Sequence, residues 1–403
     1  MKYLPIPIAL LEVGKPLPVD VLNDAGQLLL RRGQPVVSEQ HREKLNAFNA
    51  CTTETDGQAW QRAYERMVHE MLNSGADVRD VAKAPMPGTI LESDYVVGKQ
   101  LSGGWLDLQE VLRGILYQGG LSINPLPRLK GIQDKLMLLL QQDADASLFE
   151  LFQALADSRL GYCATHALLC AVVCELTAAK LGFPGLQRQP LMAAALTMNI
   201  GMAREQDSLA RQTSPINDWQ RTLVAEHPMR SAQILREFGV DDVHHLDMVR
   251  WHHAPESEDA SPTNQTSRRL LHLADVFVAR TAARRTRSAQ APVAAVKSMV
   301  FGAGGGDLGL GSAMAQAVGF YPPGSYVKLI NGEIAVAVQR GERANTPWVI
   351  SIVGSDAIPL AKYQCKSTAE PRDAISAPVN FANVKVSVSA EKVQKARERI
   401  PKP

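Results

Sequence analysis

Three histidines in the second half of the chain, His227, His252 and His253, have the type and grouping to hold a metal ion. Neutral imidazole is a common ligand for borderline divalent ions, and three of them with an open fourth position suffice for a mononuclear catalytic centre. His252 and His253 are adjacent, and neighbouring positions on a helix point about 100° apart. They converge on one ion only where a helix ends, and the Ala254-Pro255 that follows them predicts such an end. The competing reading is that they are core or surface histidines that bind nothing. A second stripe, His166, Cys170 and Cys174, runs at four-residue spacing on one helical face. It reads as a cysteine-containing metal site or, alternatively, as small buried hydrophobes beside a histidine. Arg280, Arg284, Arg285 and Arg287 form a local basic cluster, suited to phosphate oxygens or to a solvated helix face.

These residues fall into an ordered series. His166 stands in YCATHALLCAVVCELTAAKLG, followed by AALTMNIGM, then by EHPMRSAQIL with His227 and Pro228, then by His252-His253. LLHLADVFVARTAARRTR carries Asp275, Arg284 and Arg287, and FYPPGSYVKLINGEIAVAV closes the series. Taken together and in this order, the motifs resemble the HD-GYP family, the bacterial cyclic di-GMP phosphodiesterases of the HD phosphohydrolase superfamily. The resemblance covers residues 147–353, about half the chain. It implies a metal-bearing helical core in which His166, His227, His252, His253 and Asp275 stand at ligand positions, with His166 and Asp275 as a depleted second half-site. It also places Arg284 and Arg287 where phosphate-contacting basic residues are found.

The chain departs from the family pattern at its centre. Where the family has His-Asp-x-Gly-Lys, this sequence has Met198, Asn199, Gly201 and Met202, so only the glycine survives. An aspartate bridges two ions through two anionic oxygens, whereas Asn199 has one neutral acceptor. Met198 offers a soft thioether, a poor match for the hard or borderline ions of a hydrolase. Met202 removes a cation from the substrate phosphate. Tyr162 stands where the family has a glutamate, Ala254 follows His252-His253 in place of another, and the Gly-Tyr-Pro loop is missing. Phosphodiester hydrolysis draws on metal ions that acidify water and neutralise phosphate charge. The losses therefore predict absent or weak phosphodiesterase activity. At most one divalent ion, Fe, Mn or Zn, is expected, held weakly, or none.

Composition sets the outer bounds. A chain of 403 residues with 45% hydrophobic residues can bury a large core in more than one module. Net charge +2 gives no global basic field for nucleic acid. Five cysteines without a CxxC motif fit a reducing compartment. The apolar start of MKYLPIPIALLEVGK is short and broken by Pro5 and Pro7, so no signal peptide is expected, and the apolar runs are too short to span a bilayer. A cytoplasmic location is the expectation.

The elements that must position these residues follow from pattern. VDVLNDAGQLLLRRG reads as two β-prone runs around a turn, and Ser38 to Asn49 and Gly57 to Asn73 read as helices. Ser74 to Gly104 reads as a linker, and the helices of WLDLQEVLRGILYQ and RLKGIQDKLMLLLQQ show the three- and four-residue spacing of amphipathic packing. FGAGGGDLGLG lacks a GK[ST] ending and reads as a flexible loop. Beyond Ala369 the polar chain reads as a surface helix or a disordered tail. The fold class expected is mainly α: an HD-domain helical bundle with a small N-terminal β-containing module and a short C-terminal strand pair. The division is 1–56 for the β-containing module, 57–146 for a helical adaptor and linker, 147–353 for the HD-GYP-like domain and 354–403 for a polar extension. The function expected is regulation in cyclic di-GMP signalling, through the nucleotide or through other signalling proteins. The alternatives are an active phosphodiesterase with an atypical centre and an interaction scaffold like the catalytically silent HDOD proteins.

Overall fold

The computed structural model describes residues 3–400, apart from 74–76, 78–79, 82–83, 92–103, 123, 158–160, 283–288, 303–307, 387 and 389. The chain forms two compact units, residues 1–101 with 121–123, and residues 102–120 with 124–403.

In the first unit, four short strands, β1 (Tyr3–Pro5), β2 (Val21–Leu22), β3 (Leu28–Leu30) and β4 (Cys51–Thr53), pair antiparallel in the order β1-β4-β2-β3. The β2–β3 turn is held by Asn23, whose side chain accepts from Gln27 N at 2.8 Å. Gly26 supplies the positive φ of 79° that the turn needs. Helix α1 (Glu39–Ala47) starts at a Ser38 cap whose side chain accepts from His41 N. Leu11, Val19, Val21 and Val36 are fully buried at the centre of this unit. Helix α2 (Glu54–Asn73), which the sequence reading put into segment 57–146, belongs to this unit. The expected linker lies largely outside the described residues.

The second unit is mainly helical: α3 (Trp105–Gln118), α4 (Pro125–Gln142), α5 (Ala144–Ala156), α6 (Cys163–Lys180), α7 (Gly185–Thr197), α8 (Ala203–Arg211), α9 (Asp218–Glu237), α10 (Val243–Trp251), α11 (Gln265–Thr281), α12 (Pro292–Gly302) and α13 (Leu308–Val318). At its centre is α6, packed by α3, α5, α7, α8, α11 and α13. Its residues from Cys163 to Cys174 are buried on every side, which is why the run is apolar all round rather than striped. It is the one described helix long and apolar enough to cross a membrane, and it lies inside the fold. Its N-terminus is capped from α8: Asp207, 1% exposed, accepts from Tyr162 N at 2.7 Å, from Cys163 N at 2.6 Å and from the Tyr117 hydroxyl. An anion there satisfies orphan N–H groups at the positive end of the helix dipole.

After α13 the chain forms β5 (Tyr326–Leu329), β6 (Ile334–Gln339), β7 (Trp348–Val353), β8 (Pro359–Ser367) and β9 (Ile375–Val379), antiparallel in the order β8-β7-β6-β5-β9. The expected strand pair, β5 and β6, is thus the middle of a larger sheet. The runs of β6 and β7 are nearly continuously apolar because both of their faces are covered. Val336, Val338, Ile350 and Ile352 pack with Val393, Ala396 and Ile400, and Val327, Leu329, Ala335, Ala337 and Val349 form the other face. The polar extension is therefore folded onto the sheet rather than a loose tail or a surface helix alone. It contributes β8, β9 and helix α14 (Ala390–Arg397). Pro378 lies on an edge strand, where its missing N–H leaves no gap in a ladder. The glycine-rich stretch expected to be a loop has its middle, 303–307, outside the described residues, while its ends belong to α12 and α13.

Candidate metal centre

The His227-Pro228 pair lies inside α9. Proline has no N–H, so the carbonyl four residues back, that of Val224, loses its helical partner. His227 Nδ1 takes that carbonyl at 2.7 Å. Because a carbonyl only accepts, Nδ1 carries the proton and Nε2 carries the lone pair. His252 repeats this arrangement at the end of α10. It occupies the C-cap, and its Nδ1 lies 2.7 Å from the carbonyl of Val249, one of the orphan acceptors at a helix end. Its Nε2 is likewise left with a lone pair.

These two Nε2 atoms face each other at 3.2 Å. Both imidazoles are fully buried, and burial keeps them neutral: His227 is pushed down to about 4, and His252 well below the usual histidine range with help from His253 and His227. Two neutral acceptors in contact repel unless a cation lies between them. Two nitrogens bound tetrahedrally to one zinc-like ion at about 2.0–2.1 Å would stand roughly 3.3 Å apart. His253 completes the group. Its ring centroid is 4.2 Å from that of His252 and 5.1 Å from that of His227, and one ligand atom from each of the three lies within 4.8 Å of the others. The residues present therefore fit one ion. The convergence of the adjacent histidines occurs where the sequence required it, at the end of α10.

The group of His166, Cys170 and Asp275 has a different character. His166 on α6 and Asp275 on α11 are paired, His166 Nε2 to Asp275 Oδ1 at 2.8 Å, and the Tyr162 hydroxyl lies 3.0 Å from His166 Nδ1. Tyr162 thus fills the remaining nitrogen of His166. Burial alone would raise Asp275, but its hydrogen bond from His166 and the nearby imidazoles of His252 and His253 outweigh it and hold the carboxyl well below the usual range. Asp275 is an anion beside the three-histidine group. Cys170 Sγ lies 3.4 Å from His166 Nε2, in the same small group as Asp275. Burial and the Asp275 charge push its thiol well up, so it remains protonated, and burial pushes Cys174 up as well. Without an ion, both cysteines behave as small buried hydrophobes.

Met198 is fully buried and Met202 nearly so. Asn199 is 3% exposed, and its Nδ2 has no hydrogen-bond partner among the described residues. Gly201 survives for a steric reason. A Cβ there would stand 2.9 Å from the His227 carbonyl and from the N and Oγ of Ser231, so only glycine lets this turn press against α9. Its N–H donates to Ser231 Oγ at 3.0 Å. Arg284 and Arg287 lie outside the described residues, and Arg280 on α11 donates to Ser298 Oγ.

Three supporting residues escaped the sequence reading. Arg268, 2% exposed, donates to Asp247 Oδ2 at 2.6 Å, to Ser261 O at 2.6 Å and to Pro255 O at 3.1 Å, clamping the loop that leaves His252 and His253. Asp247 also accepts from Ser261 N and Asn264 Nδ2, each at 2.9 Å. His272 meets the carbonyl of His252 at 2.8 Å. Polar residues at 268, 272 and 275, on one face of a helix whose middle is apolar, were the available signal. A separate concavity of about 470 Å³ lies among α4, α7 and α10, over the Thr197–His245 hydrogen bond of 2.8 Å, and His227, His252 and His253 do not line it.

No family model matches the chain, and no curated protein matches it significantly. Among solved structures it is similar to Bd1817, described as a HDG"Y"P protein from Bdellovibrio bacteriovorus. The match has 15% identity, covers 78% of this chain and 98% of that one, and has a TM-score of 0.40. At that level of overlap no residue role passes from one protein to the other.

Proposed function

We propose that this chain is a degenerate HD-GYP-like regulatory protein that holds one divalent ion, Fe, Mn or Zn, on His227, His252 and His253. Its phosphodiesterase activity is weak or lost, and it works in cyclic di-GMP signalling by binding the nucleotide or other signalling proteins in the cytosol. The observation that carries the metal part is the pair of Nε2 lone pairs facing each other at 3.2 Å in a buried setting. The link to cyclic di-GMP rests on the ordered sequence motifs. When bound, the ion would supply a Lewis acid and a local positive charge. The chain's own residues set its limits. His227 and His252 present lone pairs through tautomers fixed by Val224 and Val249, Asp275 contributes negative charge nearby, and Asn199 cannot bridge to a second ion.

Metal analysis of the purified chain beside a cyclic di-GMP hydrolysis assay is the test. The expected result is no more than one ion per chain and no turnover. Two ions per chain, or metal-dependent turnover that disappears in His227→Ala and His252→Ala, overturns the degenerate reading. One observation favours a second reading, a mononuclear phosphodiesterase: His253 is exposed, so an ion held by the three imidazoles would be reachable from solvent. The same assay separates the two. Absence of both metal and nucleotide binding points to the scaffold alternative.

A further inference from the structure

Adjacent side chains on a helix diverge by about 100°, so His252 and His253 reach one centre only because the chain leaves α10 between them. A helix end is poorly determined by itself, since its last carbonyls lack partners and the final turn frays. Here the end is tied down from α11. His272 Nδ1 lies 2.8 Å from the His252 carbonyl and, facing an acceptor, must donate to it. Arg268 and Asp275 lie on the same stripe of α11 as His272, one turn before and one turn after it. Arg268 holds the following loop through Pro255 O and Ser261 O, and Asp275 holds His166. The His272 ring stands 6.3 Å from that of His253 at 84°, yet it places no nitrogen within the 4.8 Å group formed by His227, His252 and His253.

We propose that His272 is the positioning residue of the metal centre: by donating to the His252 carbonyl it holds the corner that turns the His252 and His253 imidazoles together toward His227. The inference rests on the metal-holding reading above for its consequence, but the corner itself exists without metal. With the ligands at 198 and 199 replaced, the centre depends on this corner more than a complete one would. Loss of such a supporting hydrogen bond typically costs about 10- to 100-fold in metal affinity.

The experiment uses the full chain with zinc or cobalt(II) alone as the probe, comparing His272→Ala with His272→Asn, whose amide N–H reaches about as far as Nδ1. His272→Ala is expected to weaken zinc binding by about 10- to 100-fold, and His272→Asn to restore most of it. The cobalt spectrum is expected to be the same in His272→Asn as in wild type. In the metal-free protein, the ring NMR signals of His252 and His253 are expected to move in His272→Ala and to stay in place in His272→Asn. Unchanged zinc affinity in His272→Ala overturns the proposal. So does an Asn variant as weak as the Ala variant with an altered cobalt spectrum, which would make His272 a ligand instead. If the wild type binds neither ion, the metal reading fails, and the ring signals still decide: immobility of both signals in His272→Ala overturns the positioning role.

Discussion

At the scale of single residues, the centre is governed by which nitrogen carries a proton. Pro228 frees the Val224 carbonyl, that carbonyl takes the His227 Nδ1 proton, and Nε2 is left to face His252. Introducing Met198→His and Asn199→Asp together is expected to tighten zinc binding by about 10-fold or more in a competition titration, because an added carboxylate neutralises the ion's charge. No gain would mean that the remaining ligands do not converge. A histidine outside the centre gives a cleaner titration. Burial lowers His245 to about 4 against about 6.5 in an unfolded chain, so the folded protein binds fewer protons between those values. Stability from this group is therefore complete above about pH 6.5 and falls as pH drops toward 4, by at most about 3 kcal/mol. Urea unfolding at pH 7.5 and pH 5 is expected to show a smaller loss in His245→Gln than in wild type.

At the scale of elements, two contacts place the ligand-bearing segments. The turn holding Gly201 presses on α9 beside His227, and the Arg268 clamp holds the loop after α10. Gly201→Ala inserts a methyl 2.9 Å from backbone atoms of α9, an overpacking expected to cost about 1–3 kcal/mol and to weaken metal binding by shifting His227. Chemical denaturation and a zinc titration read the two effects separately. Arg268→Ala strands Asp247 and two loop acceptors. Breaking a buried pair from one side typically costs about 3–5 kcal/mol, so a large fall in melting temperature is expected. Arg268→Lys is expected to recover only part of it, since an ammonium cannot reproduce the fork of donors that reaches both Asp247 and Pro255. A fully stable Arg268→Ala would show that the loop is held by other means.

At the scale of the whole molecule, the centre belongs to the second compact unit alone. Its three histidines come from α9 and the end of α10, with Asp275 of α11 beside them. An ion that binds only the folded centre stabilises that unit by mass action, about 2.7 kcal/mol at one hundred times the dissociation constant. Scanning calorimetry with and without zinc is expected to raise the transition of the second unit and leave that of residues 1–101 in place. A chelator should reverse the shift. Equal displacement of both transitions would mean that the ion binds elsewhere as well or that the units unfold together.

Much of this was legible from residues. The four-residue spacing of His166, Cys170 and Cys174 announced a shared helix face, Asn23 to Gly26 announced the turn of β2 and β3, and Ala254-Pro255 announced the helix end at His252. These features are local, and periodicity and turn chemistry report them directly. Folding of the polar extension onto the sheet was not legible, because β9 is five residues with a proline and becomes a strand only by pairing with β5, far back in the chain. Asp207, Arg268 and His272 were also missed, as their work is done across the chain: on the N-terminus of α6, on the loop after α10 and on the His252 carbonyl. Residue types and their order thus determined which groups are available for metal chemistry. Only the tertiary structure decided their protonation and convergence, because a tautomer is set by the acceptor opposite a ring nitrogen, and that acceptor's position depends on how helices end and pack.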